Sequence, residues 1–478
     1  MISIISPRID EVIARIETLQ RLEIFEVTTQ IKSDESTHCC KDPNSSRHVI
    51  YSKQTNHEYP RTDYNHFPII LNQDGSLWPH ANRYLLKKIK SIIIPAYKTL
   101  ESTACDLQHF RRWLDEENID YLIFPKRVFA RPTYRYCAHL HDKINTGDIG
   151  RNTAKRRMNT IQNFYRWLTI DGISFDYPLW QESDSYIAFR DGKGIKGTKQ
   201  VKSTDLASSI RCPKQNKDYS EHLDDGGKLR PLPLNEQKAV VEALKCIANP
   251  EMTLSFFLAL TTGARLQTVF TLRREHFELP MSNQQVIPIK VGIGTLVDTK
   301  YNKPMVLLIP QWLYQRINIY LQSERALRRF KHSQYVYASI NQQYVFLTHS
   351  GFPYCISNQD PFIDRYKMPP RGNAITQFIS QQLSPKLENN GHSFSFRFHD
   401  LRATFGMNLL EEKLSQSTDQ AELFKILMYV RDRMGHTTIS TTENYLNFRK
   451  NYHLAISIQS EFEKYLVQQI ENVPYDLG

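Results

Sequence analysis

The sequence has few cysteines, and none of them forms a paired redox or metal motif. Its 478 residues include 7 cysteines, with no Cys-X-X-Cys pair, which disfavours a disulfide framework or a zinc ribbon. The chain also lacks an apolar run near the roughly 20 residues that a membrane-spanning helix needs. Pro7, Arg8 and Asp10 interrupt the apolar segment that a secretory signal would need near its start. We therefore expect a cytoplasmic protein.

No internal repeat at a fixed period is visible, which argues against a solenoid. Hydrophobic residues make up 40% of the chain and aromatic residues 11%, a composition that supports packed cores and excludes wholesale disorder. At roughly 100–200 residues per domain, this length predicts two or three domains.

Acidic residues are fewer than basic ones, and the excess of basic residues differs between segments of the chain. The chain has 61 Lys and Arg against 50 Asp and Glu, a formal net charge of +11. Residues 1–80 carry 8 basic and 11 acidic side chains, whereas residues 83–180 carry 17 basic and 10 acidic ones. A basic surface indicates an anionic partner, usually nucleic acid. We expect a nucleic-acid partner, held by the part of the chain that follows the N-terminal extension.

Periodicity predicts mostly helices. Residues 6–25 have the pattern of an amphipathic helix, and residues 83–180 contain apolar side chains at helical spacing. The apolar side chains in this second region that define the spacing are Leu107, Phe110, Trp113, Leu114, Ile161, Phe164, Tyr165 and Leu168. From Leu234 a further helix is expected, then a buried one at 252–261. The β-branched stretch 285–310 predicts a hairpin that turns near Tyr301.

We therefore expect a mainly α fold with a small antiparallel β-sheet, divided into two main domains. The stretch 183–230 is rich in Gly, Lys and Asp and predicts a linker. The expected divisions are an N-terminal extension at 1–82, a helical DNA-binding domain at 83–182, the linker, a second domain at 231–450 and a tail at 451–478.

Four stretches toward the C-terminal end carry residues suited to one chemistry. They are TTGARLQTVFTL with Arg265, the hairpin turn with Lys300, FHDLRATF with His399 and Arg402, and MGHTTISTTENYL with His436 and Tyr445. Each is weak alone, because His-X-X-Arg also occurs at His80 and at His109. Their order along one chain is far more specific.

In this order the four stretches resemble the tyrosine recombinase (phage-integrase-like) family. The resemblance extends over roughly residues 83–450, since NTAKRRMNTIQNFYRWL is similar to the end of the family's helical core-binding domain. It implies a helical core-binding domain followed by an α+β catalytic domain, arranged as a two-domain clamp on double-stranded DNA, in a cytoplasmic protein associated with the nucleoid. It also implies site-specific cutting and rejoining of DNA through a 3′-phosphotyrosyl intermediate, which serves most often to integrate or excise a mobile element.

The residue types suit that chemistry. Two arginines can each grip the non-bridging oxygens of a phosphodiester, and His436 can donate to the same phosphate. The phenol of Tyr445 has an ordinary pKa near 10 and needs a base or nearby positive charge to become a nucleophile. His399 is the candidate base, and Lys300 the candidate acid for the departing 5′ oxygen. The family's chemistry implies no ATP, metal or other cofactor.

Some assignments have competitors. Lys303 and Lys290 flank Lys300, which is preferred because family hairpins place the lysine just before the turn. Ser440–Glu443 has the pattern of a helix-capping box that would set Tyr445 about one turn into a helix. The family often has an acid three residues after its first arginine, where this chain has Thr268.

Partners follow from the same resemblance and from two helical stripes. A basic stripe offers a DNA-binding face, formed by Asn152, Lys155, Arg156, Arg157 and Arg166. An apolar stripe in the tail packs on its own domain or docks on a neighbouring protomer; it contains Leu454, Ile458, Phe462, Tyr465 and Leu466. The family assembles as a homo-tetramer on two duplexes. A co-encoded recombinase or accessory protein is a further partner hypothesis, for the N-terminal extension.

Two other functional classes compete with recombination. One is a catalytically silent DNA-binding or architectural protein of the same fold, although the intact set of Arg, His, Arg, His and Tyr argues against it. The other is a type IB topoisomerase-like or telomere-resolvase-like enzyme, which uses similar chemistry. Joining of two duplexes, relaxation of one duplex, or binding alone would separate them.

Overall fold

The computed structural model divides into two compact units, Met1–Lys214 and Gln215–Gly478. The residues that it describes are 13–28, 37–41, 48–53, 63–90, 95, 97–190, 196–206, 210, 222–278, 285–333, 337, 339–366, 368–416 and 420–449. Helices predominate among them, and the strands pair in small antiparallel sheets. The expected mainly α fold with a small antiparallel sheet is therefore confirmed.

The first unit begins with strands where the sequence favoured a helix. β1 (Arg15–Glu23) pairs antiparallel with β5 (Asp63–Leu71). A second sheet has the order β2–β4–β3 and consists of β2 (Phe25–Thr28), β3 (Thr37–Lys41) and β4 (His48–Lys53). The helix prediction for 6–25 is therefore wrong from residue 13 onward, and its start lies outside the described residues. Pairing with β5, which buries Phe67 and Ile70, outweighed the local helical period.

Helices complete the core of the first unit. They are α1 (Pro79–Ile89), α2 (Tyr97–Glu116), α3 (Pro132–Asn145) and α4 (Arg151–Ile170). Proline opens α1 and α3, where a missing backbone N–H costs nothing. The apolar side chains that the sequence placed at helical spacing in α2 and α4 are all buried, as the pattern predicts.

The stretch expected to be a linker contains regular structure. β6 (Glu182–Arg190) and β7 (Lys196–Thr204) form an antiparallel hairpin. Gln162 of α4 donates to the Thr204 hydroxyl at 2.6 Å, which ties β7 to the helices. Further along, β8 (Leu223–Asp224) and β9 (Lys228–Leu229) form a small hairpin within the second unit. The polar composition of this stretch is therefore compatible with paired strands, and it does not mark a featureless connection at these positions.

The helices of the second unit pack around a further, longer hairpin. β10 (Val286–Val291) pairs with β11 (Met305–Pro310), and Tyr301 between them has φ 60°, so the predicted turn is confirmed. The helices that the structure bounds here are α5 (Leu234–Ile247), α6 (Pro250–Thr262), α7 (Leu266–Phe270), α8 (Gln311–Gln322), α9 (Glu324–His332), α10 (Asn373–Phe378), α11 (Ser384–Asn389), α12 (Asp400–Ser415), α13 (Gln420–Met434) and α14 (439–449).

The second unit has a hydrophobic core that supports the hairpin and the ends of several helices. Phe256 of α6 packs edge-on against Phe398, just before α12, with ring centroids 5.0 Å apart. The predicted buried helix at 252–261 corresponds to α6, whose Phe256 and Ala259 are fully buried. None of the helices in the described ranges has the length and apolar character to cross a membrane.

Candidate active site

Arg402 is the fixed centre of the site. It lies in the first turn of α12 and is 1% exposed. Its Nη1 donates to the Gly263 carbonyl at 2.8 Å, and its Nη2 donates to the Met434 carbonyl at 2.7 Å. Its Nε donates to the Asp225 carboxylate at 2.8 Å. Because two edges of the guanidinium bind backbone, its position is set by the ends of α6 and α13.

Gly263 shapes the segment that carries Arg265. It ends α6 with φ 66°, a conformation that favours glycine, and a Cβ there would lie 2.5 Å from the ring of Phe405. Arg265 follows at the N-cap position of α7. Its Nη2 lies 3.9 Å from Asp225 Oδ1, and its side chain is 22% exposed. Burial and the neighbouring charge of Arg402 lower the pKa of Arg265 to about 10, so it is still a cation near pH 7.

His436 follows the glycine that ends α13, Gly435, which has φ 65°. Its Nε2 lies 3.1 Å from Asp225 Oδ2, and its Nδ1 lies 3.0 Å from the Thr442 hydroxyl. Burial lowers the pKa of His436, although Asp225 opposes the shift. A carboxylate only accepts hydrogen bonds, so Nε2 carries the proton and Nδ1 of the neutral ring accepts from Thr442.

Tyr445 is completely enclosed. It lies on α14, is 0% exposed and donates from its hydroxyl to Asp225 Oδ2 at 3.0 Å. Its ring rests on Gly406 of α12, where a Cβ would lie 2.5 Å from Tyr445 Cε1. Burial and the charge of Asp225 raise its pKa well above the usual value, so the phenol is protonated here.

Asp225 joins these groups, and the sequence did not point to it. It is buried in the turn of the β8–β9 hairpin, and its carboxylate contacts the three donors described above together with Arg265. Burial disfavours its charge, but the hydrogen bond from His436 and the charge of Arg402 outweigh burial and hold its pKa far below the usual range. The signal in the sequence was the Asp-Asp-Gly-Gly run, which favours a tight turn as much as a linker.

The structure separates the competing lysines. The Nζ of Lys300 lies 2.9 Å from where a Cβ on Gly226 would be, beside the turn that carries Asp225. Lys303 instead donates to the Gly435 carbonyl at 3.3 Å. Lys290 is exposed on β10. Lys300 is thus the lysine that lies next to the Asp225 turn.

A buried carboxylate holds the loop that carries Lys300. Asp298 accepts hydrogen bonds from Gln267 at 2.6 Å, from the Ser357 hydroxyl at 2.7 Å and from Asn358. Gln267 belongs to α7, directly after Arg265 and Leu266. The network therefore links the positions of Arg265 and Lys300, which are far apart in sequence.

His399 occupies the position before α12 and is half-buried. Burial, followed by the charges of Arg402 and Arg265, lowers its pKa to about 4. It is therefore neutral near pH 7 and has a free lone pair for a proton. Thr268, which stands where the resembling family often has an acid, is buried in α7. The carboxylate of this site comes from Asp225.

The predicted DNA-binding residues lie on α4 in the first unit, and they differ in exposure. Asn152, Lys155, Arg156 and Arg166 are exposed. Arg156 also donates to the buried Asp106 at 2.9 Å. Arg157 is only 14% exposed and directs its guanidinium toward Asp106, with 4.0 Å between Nε and Oδ1. Arg157 therefore does not belong to the exposed basic face, because its position on the helix turns it toward α2.

The site as a whole is a buried anion-binding centre next to a phenol. Two arginines and a histidine N–H converge on the place that the Asp225 carboxylate occupies, with Lys300 beside it. Such donors also suit a phosphate oxygen. Within the described ranges, no three His, Cys, Asp or Glu side chains come together in the manner of metal ligands.

Comparisons with known proteins give weak structural similarities only. No family model matches the chain, and no curated protein matches it. A solved lambda integrase dimer bound to a COC′ core site is similar over 77% of this chain and 94% of its own, with 12% identity and a TM-score of 0.44.

Two further solved structures have similar scores. The XerH site-specific recombinase bound to a palindromic difH substrate covers 76% of this chain and 84% of its own, at 13% identity and a TM-score of 0.42. The Tn1549 transposon integrase in complex with circular intermediate DNA is similar over 76% of this chain and 94% of its own, at 14% identity and a TM-score of 0.40. At TM-scores below 0.5, the geometry of the site remains the evidence for function.

Proposed function

We propose that the chain is a tyrosine site-specific recombinase, which cuts and rejoins double-stranded DNA through a 3′-phosphotyrosyl intermediate. The observation that supports this most strongly is the single oxygen Asp225 Oδ2. It accepts from Arg402, His436 and the Tyr445 hydroxyl at 2.8, 3.1 and 3.0 Å. An anionic oxygen held there touches both the groups that neutralise a phosphate and the nucleophile that would attack it.

In the proposed reaction, Tyr445 Oη forms a bond to phosphorus while the bond from phosphorus to the 5′ oxygen breaks. The phenol proton passes to His399, whose ring is neutral near pH 7, although a pKa lowered to about 4 makes it a weak base in the absence of substrate. The groups that lower that pKa, Arg402 and Arg265, also contact the carboxylate beside the Tyr445 hydroxyl. Lys300 donates a proton to the departing 5′ oxygen. The reverse sequence rejoins the strand.

Arg402, Arg265 and His436 neutralise the phosphate in this scheme. Arg402 is held by two backbone carbonyls, so it needs no rearrangement as charge develops in the transition state. His436 presents its Nε2 proton because Thr442 fixes the opposite ring nitrogen. The energy of the phosphodiester is retained in the phosphotyrosyl bond, and the scheme uses neither ATP nor a metal.

The wider roles are part of the same proposal. The exposed basic face of α4 and the second unit would both bind the duplex, mainly through phosphates. Integration or excision of a mobile element by a tetramer on two duplexes is the role that we infer from the family resemblance. The tail stripe from Leu454 to Leu466, which lies outside the described residues, would serve packing or assembly.

The test is covalent trapping. Purified protein is incubated in EDTA, without ATP, with nicked duplexes that tile the DNA flanking its gene, and the products are separated on a denaturing gel. Wild-type protein should form an adduct whose tryptic peptide carries DNA on Tyr445, and Tyr445→Phe should form none. Tyr429→Phe, which alters a partly exposed tyrosine of α13, is the matched control. Binding without any adduct would instead favour the catalytically silent alternative.

A further inference from the structure

The turn of the β8–β9 hairpin occupies the place that a substrate phosphate would need. Asp225 takes the hydrogen bonds of Arg402, His436 and Tyr445, and the neighbouring Gly226 lies against Lys300. A carboxylate and a phosphodiester are both anions with oxygen acceptors, so the same donors suit either. The hairpin thus supplies an internal anion to the anion-binding centre.

The site is closed in this arrangement. Arg402 is 1% exposed and Tyr445 is 0% exposed, so no phosphate of a duplex can reach either group while the turn remains in place. Arg402 is also held by two backbone carbonyls, so its Nε–H is fixed toward the place that the Asp225 carboxylate occupies. A carboxylate and a phosphate placed together there would repel each other in a buried environment.

The hairpin is anchored at its strands and adaptable at its turn. Leu223 and Leu229 are buried beside Tyr445 and Phe405 in one apolar cluster, and Asn444 of α14 donates to the Asp224 carbonyl at 3.0 Å. By contrast, the two residues after Asp225 are exposed glycines, and Gly226 has φ 70°. Glycine gives the backbone freedom to change conformation, so the turn can move while the strands stay.

From these observations we propose that Asp225 is an internal substitute for the scissile phosphate, which closes the site in the absence of DNA and is displaced when the duplex binds. The proposal rests on the proposed function, because it names what regulates that site. It implies that only open molecules bind DNA, so the apparent affinity for DNA is lowered in proportion to the fraction of molecules that are open. It also implies that Tyr445 loses a negative neighbour when the site opens.

The first experiment measures phosphate binding by the full-length protein, without DNA or chemistry. Asp225→Asn removes the internal anion at nearly constant size. The control is Asp224→Asn, which removes the same charge from an exposed neighbour on the same hairpin. We expect inorganic phosphate to raise the Tm of Asp225→Asn at concentrations at least tenfold lower than for wild type. Asp224→Asn should respond as wild type does, and equal responses of all three proteins would overturn the proposal.

The second experiment measures the rate of covalent adduct formation on the nicked duplex. Asp225→Asn should form the adduct at least as fast as wild type and at lower DNA concentration. If it binds DNA but forms adduct at least a hundredfold more slowly, Asp225 takes part in the reaction and the displacement proposal is wrong. If no variant forms an adduct while Asp225→Asn gains phosphate affinity, the closing role stands and the recombinase function fails.

A second variant keeps the test decisive if Asp225→Asn does not fold. Gly226→Ala leaves the carboxylate in the chain but strains the turn, because the backbone there has φ 70°, a conformation that residues with a Cβ rarely adopt. It should open the turn and increase phosphate affinity, whereas Gly227→Ala, which meets no atom within 4 Å, should change the affinity less. An unchanged phosphate affinity in a folded Gly226→Ala protein would contradict the proposal.

Discussion

Gly406 should be required by the ring of Tyr445, although it lies inside a helix where alanine is normally preferred. Gly406→Ala in a free helix should stabilise by about 1 kcal/mol. Here the added Cβ would lie 2.5 Å from Tyr445 Cε1 and 3.1 Å from Met434 Cε, whereas real contacts stay above 3.0 Å. The ring must therefore move by about 0.5 Å or more, from a position where it is fully buried.

Overpacking of this kind costs about 1–3 kcal/mol, which exceeds or cancels the gain in helix propensity. We expect Gly406→Ala to be destabilised by up to about 2 kcal/mol, as measured by urea unfolding at equilibrium. In a Tyr445→Ala background the ring is absent, and the same substitution should stabilise by up to about 1 kcal/mol. The coupling energy of the cycle then equals the steric cost.

The same displacement should impair the chemistry. A shift of the Tyr445 hydroxyl approaching 1 Å can lower a rate by about a hundredfold, so Gly406→Ala should form the covalent adduct far more slowly. Glu411→Ala, on an exposed position of α12, is the control and should retain the rate. If Gly406→Ala changes stability by the same amount in both backgrounds, the close contact with Tyr445 is not the cause and the reasoning fails.

Three further predictions concern titration, the proton donor and the DNA face. The pKa of His399 is lowered to about 4 in the folded state, so the unfolded chain binds its proton first as the pH falls, and stability should decline between about pH 6.5 and 4. His399→Gln should flatten this decline in urea unfolding, and an unchanged slope would contradict the burial of His399. Lys300→Met should slow adduct formation by about 10²–10⁴-fold. The rate should recover on a substrate with a 5′-bridging sulfur, because a thiolate leaving group does not need a proton from an acid. Lys303→Met is the control. If Lys303→Met forms the adduct more slowly than Lys300→Met, then Lys303 is the proton donor. Lys155→Ala should lower the slope of log affinity against log salt by about 1, whereas Arg157→Ala, beside the buried Asp106, should reduce stability. If Lys155→Ala and the wild-type protein have equal salt slopes, Lys155 does not belong to the DNA-binding face.

The sequence was most informative where chemistry requires particular side chains in order. Arg265, Arg402, His436 and Tyr445 come from three separate stretches, and the folded chain brings all four around one carboxylate. Their roles in catalysis remain predictions. The glycines that adjoin these residues are explained by geometry that the sequence alone did not reveal, since a side chain on Gly406 would collide with Tyr445.

Asp225 could not be found in the same way. It lies far from the four motifs in sequence, and its Gly-rich surroundings are typical of both linkers and tight turns. Its role depends on tertiary placement, because Leu223 and Leu229 bury the hairpin against Phe405 and Tyr445. No local pattern reports such a contact.

The other differences between the predictions and the structure also arise from tertiary contacts. β1 has a plausible helical period but pairs along its length with β5, and strand pairing depends on a partner that a local window does not include. The capping-box prediction at Ser440–Glu443 is wrong, because the helix already includes residue 439. Thr442 instead binds His436, so it orients a site residue.

The most direct test of the central claim is to identify the amino acid that becomes linked to DNA. Wild-type protein would be trapped on a nicked duplex in EDTA, digested, and its DNA-bearing peptide sequenced by mass spectrometry. We predict a single linkage at Tyr445, to a 3′ phosphate, with a free 5′ hydroxyl on the released strand. A linkage at another residue, or a free 3′ hydroxyl with no adduct on DNA that the protein cuts, would contradict the proposed mechanism.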